Sequence, residues 1–316
     1  MPLDPQARAL MEQLHAQARP ALSHLSATQL RAGDDEIIPL TGEPVVVSKV
    51  EQVKIPGPGG PLPLRIYTPA GTGPFPVLVY FHGGGWVVCN LETHDSLCRT
   101  LANTANSIVI SVDYRLAPEN PFPAAFEDAY AVTEWAARHA DKLGADPTRI
   151  AVGGDSAGGN LAAGVALEAR ERGAFSVTCQ ALIYPVLDYY QPASSSYTAY
   201  AEGYFLSGKD MPWYYQQYLP SGFDGKDARV APVLASDLRG LPPALIITAE
   251  YDPTRDGAEL YAMRLKEAGV EVSLTRYEGM MHAFVLLAGV FEQGRKARQQ
   301  VGTFLQEALR EGRRCG

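Results

Sequence analysis

The sequence predicts an α/β fold: a mostly parallel sheet of about eight strands, flanked by helices on both faces, with a helical layer over one end. Three observations predict it. Apolar runs of strand length alternate with helical patterns along most of the 316 residues. The later strand-like runs are continuously apolar, as buried parallel strands are. One stretch, residues 188–225, breaks the alternation with Tyr189, Tyr190, Tyr197, Tyr200, Tyr204, Phe205, Trp213, Tyr214, Tyr215 and Tyr218 among Ser, Gly and Pro, and reads as an insertion.

In chain order, residues 5–19 place Leu10, Met11 and Leu14 at helical spacing, with Ala7 and Ala18 extending the face. This is an amphipathic helix that needs a docking surface. A short helix over Thr28–Ala32 and a polar link through Gly33, Asp34, Asp35 and Glu36 follow. Strands over Val45–Ile55 and Leu62–Thr68, split by the turn Pro56–Pro61, form an expected antiparallel edge. Further strands are expected at Val77–Phe81, Ile108–Val112, Ile150–Gly153, Ala181–Tyr184, Ala244–Ala249 and Val272–Tyr277. The expected helices are Ser96–Asn103, Pro123–His139, Ala157–Arg172, Arg255–Ala268 and Gly289–Glu311. The domain reading is N-terminal cap helices over 1–45, a core in two parts over 46–187 and 226–316, and a cap insertion over 188–225.

Composition is ordinary for a globular chain, with 46% hydrophobic and 20% charged residues, enough for one large α/β domain. The formal charge, 27 − 35 = −8, weighs against nucleic acid and anionic membrane as partners. No apolar run is long enough to span a bilayer. The N-terminal stretch lacks the basic start and apolar run of a signal peptide, so a cytoplasmic enzyme is expected. Arg310, Arg313 and Arg314 read as a solvated helix end. Cys89, Cys98, Cys179 and Cys315 show no CxxC spacing or paired framework; the first three read as small core residues.

The sharpest chemical signal is Gly154-Asp155-Ser156-Ala157-Gly158, between an expected strand and an expected helix. A serine on such a turn is lifted above the sheet, and its neighbours two residues away must be small. The helix N-terminus and the Ala157 amide then point at developing negative charge. Directly after the strand Val77–Phe81 comes His82-Gly83-Gly84-Gly85-Trp86. Successive glycines let backbone N–H groups turn inward without side-chain obstruction. Gly84, Gly85 and Ala157 are the expected oxyanion donors, with Gly83 shaping the turn. His82 precedes this loop and is expected to brace it by hydrogen bonding.

HGGGW, GDSAG and the intervening Tyr114-Arg115-Leu116-Ala117-Pro118-Glu119 together resemble the hormone-sensitive lipase family of carboxylesterases, the bacterial family IV esterases, within the α/β-hydrolase superfamily. The resemblance covers essentially the whole chain. It implies an α/β-hydrolase fold and ester hydrolysis.

Serine needs a base, and the base an acid, in the chain order Ser, Asp or Glu, His. His282 is the only histidine after Ser156; His15, His24, His82, His94 and His139 precede it. Asp252, just past the strand Ala244–Ala249, is the expected acid, and the family pattern DPxxD assigns the acid to the same position. Glu250, Asp256 and Asp188 are weaker candidates: Asp256 is expected to cap a helix, and Glu250 to meet backbone or an arginine. Similar esterases usually carry glycine after the histidine; here it is Ala283. Arg115 and Glu119 are expected to tie a Pro-rich turn to the core by charge pairing.

Trp86, Phe205, Leu206, Phe284 and Leu287 are candidate pocket residues, and Cys89 is a further one. A capped apolar pocket favours short- to medium-chain acyl esters. No metal is expected, since there is no HExxH or close His/Cys cluster, and no cofactor, since there is no phosphate-cradling glycine loop. The expected partner is a small-molecule ester, and a homodimer is left open. Two other readings keep the same scaffold: a binding protein like the plant hormone receptors of this fold, which dispense with the catalytic histidine, and a peptidase or amide hydrolase using the same triad.

Overall fold

The computed structural model describes residues 2–17, 20–190, 194–223 and 225–310. The expected readings at Ala18, Glu311, Arg313, Arg314 and Cys315 lie outside these residues.

The chain opens with α1 (Pro5–Ala16) and α2 (Ala27–Arg31), then 3-10 turns at Asp34–Glu36 and Ile38–Leu40. Asp4 caps α1 by accepting from Gln6 N–H at 2.8 Å. Asp4 N–H donates to Gly279 O at 3.0 Å, which moors α1 to the sheet. Ser26 and Gln29 form a capping box on α2. The sheet and its helices follow as β1 (Lys49–Gly57), β2 (Gly60–Thr68), β3 (Phe75–Phe81), α3 (Asp95–Ala105), β4 (Ile108–Val112), α4 (Ala124–Arg138), α5 (Ala140–Leu143), β5 (Ala145–Asp155), α6 (Ala157–Arg172) and β6 (Cys179–Ile183). Next come two short helices, α7 (Ser195–Ala199) and α8 (Met211–Tyr218), then β7 (Ala244–Tyr251), α9 (Arg255–Glu267), β8 (Val272–Met281) and α10 (Glu292–Ala308).

The eight strands lie in the order β1-β2-β4-β3-β5-β6-β7-β8. β1–β2 and β2–β4 are antiparallel and all other pairs are parallel. Alternation along each strand sorts side chains to two faces. Val77, Val79, Phe81, Ile110 and Val152 meet Phe126 and Val132 of α4, Leu161 and Val165 of α6, and Leu265 of α9. Leu78, Tyr80, Val109 and Ala151 meet Leu97 and Leu101 of α3 and Val301 and Leu305 of α10. Each buried Val or Leu contributes about 1.5–3 kcal/mol against exposure, so the helices on both faces stabilise the sheet.

From β3 the chain crosses to β4 on one side, then returns past β3 to β5 on the other. This topological switch leaves a crevice beyond the carboxyl ends of β3 and β5. The glycine loop leaves β3 there, and Ser156 leaves β5 there.

Several boundaries differ from the sequence reading, three of them at strands β1, β5 and β8. The first strand starts at Lys49 rather than Val45, because its partner β2 ends at Thr68 opposite Lys49 and offers nothing to pair with Val45–Ser48. β5 begins at Ala145, well before Ile150. β8 continues past Tyr277 to Met281, where a register shift brings Tyr251 opposite Met281 and delivers the chain to His282. Among the described residues, no helix is long and apolar enough to cross a membrane.

Candidate active site

Ser156 sits between β5 and α6 with φ 54° and ψ −119°, a strained conformation for a residue with a side chain. Backbone bonds hold it: Ser156 N–H donates to Ile183 O at 2.9 Å, and Ser156 O accepts from Asn160 N–H at 3.1 Å and Val186 N–H at 3.2 Å. The turn tolerates no bulk beside it. A Cβ on Gly158 would strike Phe81 O, and one on Gly154 would strike the Gly158 backbone.

His282 Nε2 lies 2.8 Å from Ser156 Oγ, and His282 Nδ1 lies 2.6 Å from Asp252 Oδ2. The other Asp252 oxygen accepts from Thr254 N–H and Thr254 Oγ1–H, both at 2.8 Å, so this fully buried carboxylate is held in one orientation. It can receive only Nδ1–H from the ring, which leaves Nε2 as the acceptor for the Ser156 hydroxyl. Ala283 stands at φ 69°, where a methyl group costs about 1–2 kcal/mol relative to glycine. A glycine at this position would avoid that strain.

Gly84 (φ 109°) and Gly85 (φ 60°) both need the left-handed region. Among the described residues neither N–H has a protein acceptor, and the Ala157 N–H, at the first position of α6, has no intrahelical one. These are donors ready for an anion. Gly83 differs: its N–H donates to Asp155 Oδ1 at 3.0 Å and is spoken for. Gly83, expected to shape the turn, anchors the loop through this bond and has no N–H left for an oxyanion. His82 is fully buried, stacked on Tyr114 at 4.2 Å, with Nδ1 2.7 Å from Gly83 O. Burial drives its pKa down to about 3, so it is a neutral brace.

A cavity of about 700 Å³ opens on Ser156 and His282. Trp86, Phe205, Leu206 and Cys89 line it, together with Leu10, Met11 and Leu30 from the N-terminal segment and Tyr214 of α8. Phe284 and Leu287 do not line it. Both are fully buried in the sheet layer shared with α10, where Phe284 packs on Tyr184 and Tyr277. The turn after His282 sends Ala283 and Leu286 into the cavity instead. A separate hollow of about 590 Å³ at Leu3, Asp4, Arg8 and Glu278 contains none of the groups just described.

Several residues that sequence reasoning passed over hold this site. Asp155 lies beside the nucleophile, 2% exposed, and accepts from Tyr80 OH at 2.8 Å, Gly83 N–H at 3.0 Å and His94 Nε2 at 3.0 Å. Burial alone would raise its pKa, but His94 and Tyr80 outweigh it and hold the carboxyl below its ordinary value. Arg298 is buried and donates to Val285 O, Leu286 O and Thr41 O at 2.9–3.0 Å, bracing the turn after His282. Only its chain position, a lone arginine on the apolar side of an amphipathic helix, could have flagged it. Glu250 accepts from Gly279 N–H at 2.7 Å, as expected of a backbone partner. Asp256 does not cap α9: Thr254 holds that position, and the Asp256 carboxylate turns outward to Ser196 N–H at 2.8 Å. Arg115 pairs bidentately with buried Asp128, and Glu119 pairs with Arg31.

Asp252, not Asp188, meets the His282 ring, and Asp188 accepts from Tyr197 OH at 3.3 Å. Burial pushes its carboxyl up to about 7 from 3.8. The folded state therefore keeps a proton that the unfolded chain releases, and stability is lost as pH rises from about 4 to about 7. Asp188→Asn is expected to remove that loss. Its advantage in urea unfolding should grow across this window and reach on the order of 3–4 kcal/mol above it. An equal advantage at pH 5 and pH 8 would contradict this assignment.

Residues 78–286 match a family described by the α/β hydrolase fold. The chain belongs to that α/β-hydrolase family. This hydrolase is 46% identical over 250 residues to the carboxylic ester hydrolase LipN of Mycobacterium tuberculosis, covering 77% of this chain and 66% of LipN. It is 35% identical to an arylesterase of Saccharolobus solfataricus over 98% of this chain and 100% of the relative. The solved structure of the ester hydrolase EH1AB1, from the metagenome of Lake Arreo, superposes with a TM-score of 0.93 at 42% identity, covering 96% of this chain and 98% of that one. The resemblance to the hormone-sensitive-lipase type of carboxylesterase, carried by HGGGW and GDSAG, stands with these relatives.

Proposed function

We propose that this hydrolase, a carboxylesterase by family, cleaves short- to medium-chain acyl esters of small molecules through a Ser156–His282–Asp252 triad and a covalent acyl-enzyme. The observation that carries this reading is His282, which bridges Ser156 Oγ at 2.8 Å and Asp252 Oδ2 at 2.6 Å. His282 Nε2 takes the Ser156 proton as Oγ bonds to the ester carbonyl carbon. The carbonyl oxygen gains negative charge and is received by the N–H groups of Gly84, Gly85 and Ala157. Asp252 stabilises the imidazolium. As the C–O bond breaks, His282 returns the proton to the departing alkoxide. Water then attacks the acyl-enzyme with His282 as base, the bond from the acyl carbon to Oγ breaks, His282 returns the proton to Ser156 Oγ, and the carboxylic acid departs.

Residues 1–45 and 188–225 act in this reading as a cap. Leu10, Met11 and Leu30 from the first and Phe205, Leu206 and Tyr214 from the second enclose the cavity. Its volume, about 700 Å³, is in the range of small-molecule sites. A series of p-nitrophenyl esters from acetate to dodecanoate tests the chain-length preference. kcat/KM should peak between butanoyl and octanoyl and fall by about tenfold or more at dodecanoyl. A maximum at decanoyl or beyond would show that the cap does not limit the acyl chain.

A further inference from the structure

The N-terminal segment does more than roof the cavity: it grips the loop that carries Gly84 and Gly85. Four residues of that loop adopt left-handed φ, namely Gly84, Gly85, Trp86 and Cys89. Trp86 and Cys89 bear side chains, so the loop keeps a conformation that its local preferences oppose and must be held from outside. Within the loop, Gly84 O accepts from Val87 N–H and Val88 N–H at 3.0 Å. The polar anchors of its return limb come from residues far away in sequence. Cys89 N–H donates to Asp34 Oδ2 at 3.0 Å. Arg31 Nε donates to Val87 O at 2.7 Å, and Arg31 Nη2 donates to Ala117 O at 2.6 Å. Ala117 N–H in turn donates to Trp86 O at 2.9 Å, and Glu119 holds the guanidinium at 2.7 and 2.9 Å.

We propose that Arg31 and Asp34 are positioning residues for the oxyanion loop, so that the N-terminal segment aims the Gly84 and Gly85 amides as well as covering the cavity. The proposal rests on the reading of those two amides as oxyanion donors. The physical link is direct. Without the Arg31 and Asp34 bonds, the Val87 carbonyl and the Cys89 amide are free to rotate. Cys89 and Trp86 can then relax toward negative φ, which turns the peptides that precede them and misdirects the donors. Leu30, Gly33 and Asp34 also line the cavity. A bound acyl chain therefore bears on the same segment that sets the donors.

The test compares Arg31→Ala, Arg31→Lys, Asp34→Ala and Asp34→Asn with the wild type. Turnover of p-nitrophenyl butanoate is measured with inhibition by an alkyl trifluoromethyl ketone, whose serine adduct places an oxyanion on the amides, and by the matching methyl ketone, which binds without one. Arg31→Ala and Asp34→Ala should lower kcat roughly 30- to 100-fold with KM within about threefold. They should weaken the trifluoromethyl ketone by the same factor as kcat/KM and leave the methyl ketone within about threefold. Asp34→Asn keeps an oxygen for Cys89 N–H and should recover most of the loss. Arg31→Lys, with one donor direction instead of a fork, should fall between. If an alanine variant does not fold, the Lys and Asn variants carry the same comparison. Unchanged kcat and trifluoromethyl ketone affinity in the folded variants overturns the proposal, as does equal weakening of both ketones. A wild type that binds the two ketones equally would instead overturn the donor reading beneath it.

Discussion

Ser156→Ala is expected to remove turnover while leaving the fold intact, with kcat falling on the order of 10⁴–10⁶-fold. The elbow does not depend on the hydroxyl. Its φ of 54° is imposed by the bonds of the Ser156 backbone to Ile183, Asn160 and Val186, and by the absence of side chains at Gly154 and Gly158. Alanine keeps the Cβ and fits the same space. The His282–Asp252 bond also survives, because Asp252 remains fixed by Thr254. What disappears is the atom that forms the acyl bond, so the pre-steady-state burst of p-nitrophenolate should vanish. The variant's unfolding midpoint should stay within about 2–3 °C of the wild type. Residual kcat above about 1% of wild type would place the nucleophile elsewhere.

The second large effect is expected at Asp155, which never meets substrate in the proposed chemistry. Asp155→Ala leaves Tyr80 OH, the Gly83 amide and His94 Nε2 without their shared acceptor in a fully buried place. Each buried group left unsatisfied costs about 1–3 kcal/mol, so a total of about 3–5 kcal/mol and a Tm lower by roughly 10 °C are expected. Activity should suffer too. Gly83 is the root of the glycine loop, and releasing it shifts the donors at Gly84 and Gly85. A displacement of about 1 Å there is enough for roughly a 100-fold loss in kcat. Asp155→Asn retains one oxygen acceptor and should lose less of both. The wild-type carboxylate has a depressed pKa, so its stabilising contribution is present above 3.8 and lost as pH falls below it. The advantage of wild type over Asp155→Asn should therefore shrink in acid. A folded Asp155→Ala variant within about threefold of wild-type kcat would show that Gly83 needs no anchor.

Much of the scaffold could be read before any coordinates, because it depends on short-range sterics and periodicity. The buried strands announced themselves as apolar runs, and α6 begins at Ala157 as the small residues around Ser156 require. His282 is singled out by elimination, being the only histidine downstream, and Asp252 by its place just past a strand and by the family pattern DPxxD. What local residues could not show was which distant groups meet. Phe284 and Leu287 are as apolar as any pocket residue. Only the turn after His282 sends them into the core and brings Ala283 and Leu286 to the cavity. Nothing in the sequence marked Asp155, because the neighbouring ends of β3 and β5 bring the Gly83 amide to it only in the fold.

The arginines make the same point. Arg31 reaches Val87, 56 positions on, and Arg298 reaches Thr41, 257 positions back. Local residue preferences and periodicity mark where most strands and helices form and where small residues permit a turn at Ser156. A long polar side chain satisfies its hydrogen bonds with whatever the sheet order and the N-terminal segment place within reach. Those partners exist only once the tertiary structure is assembled, which is why the sequence pointed to Ser156 and the fold alone decided what holds its surroundings in place.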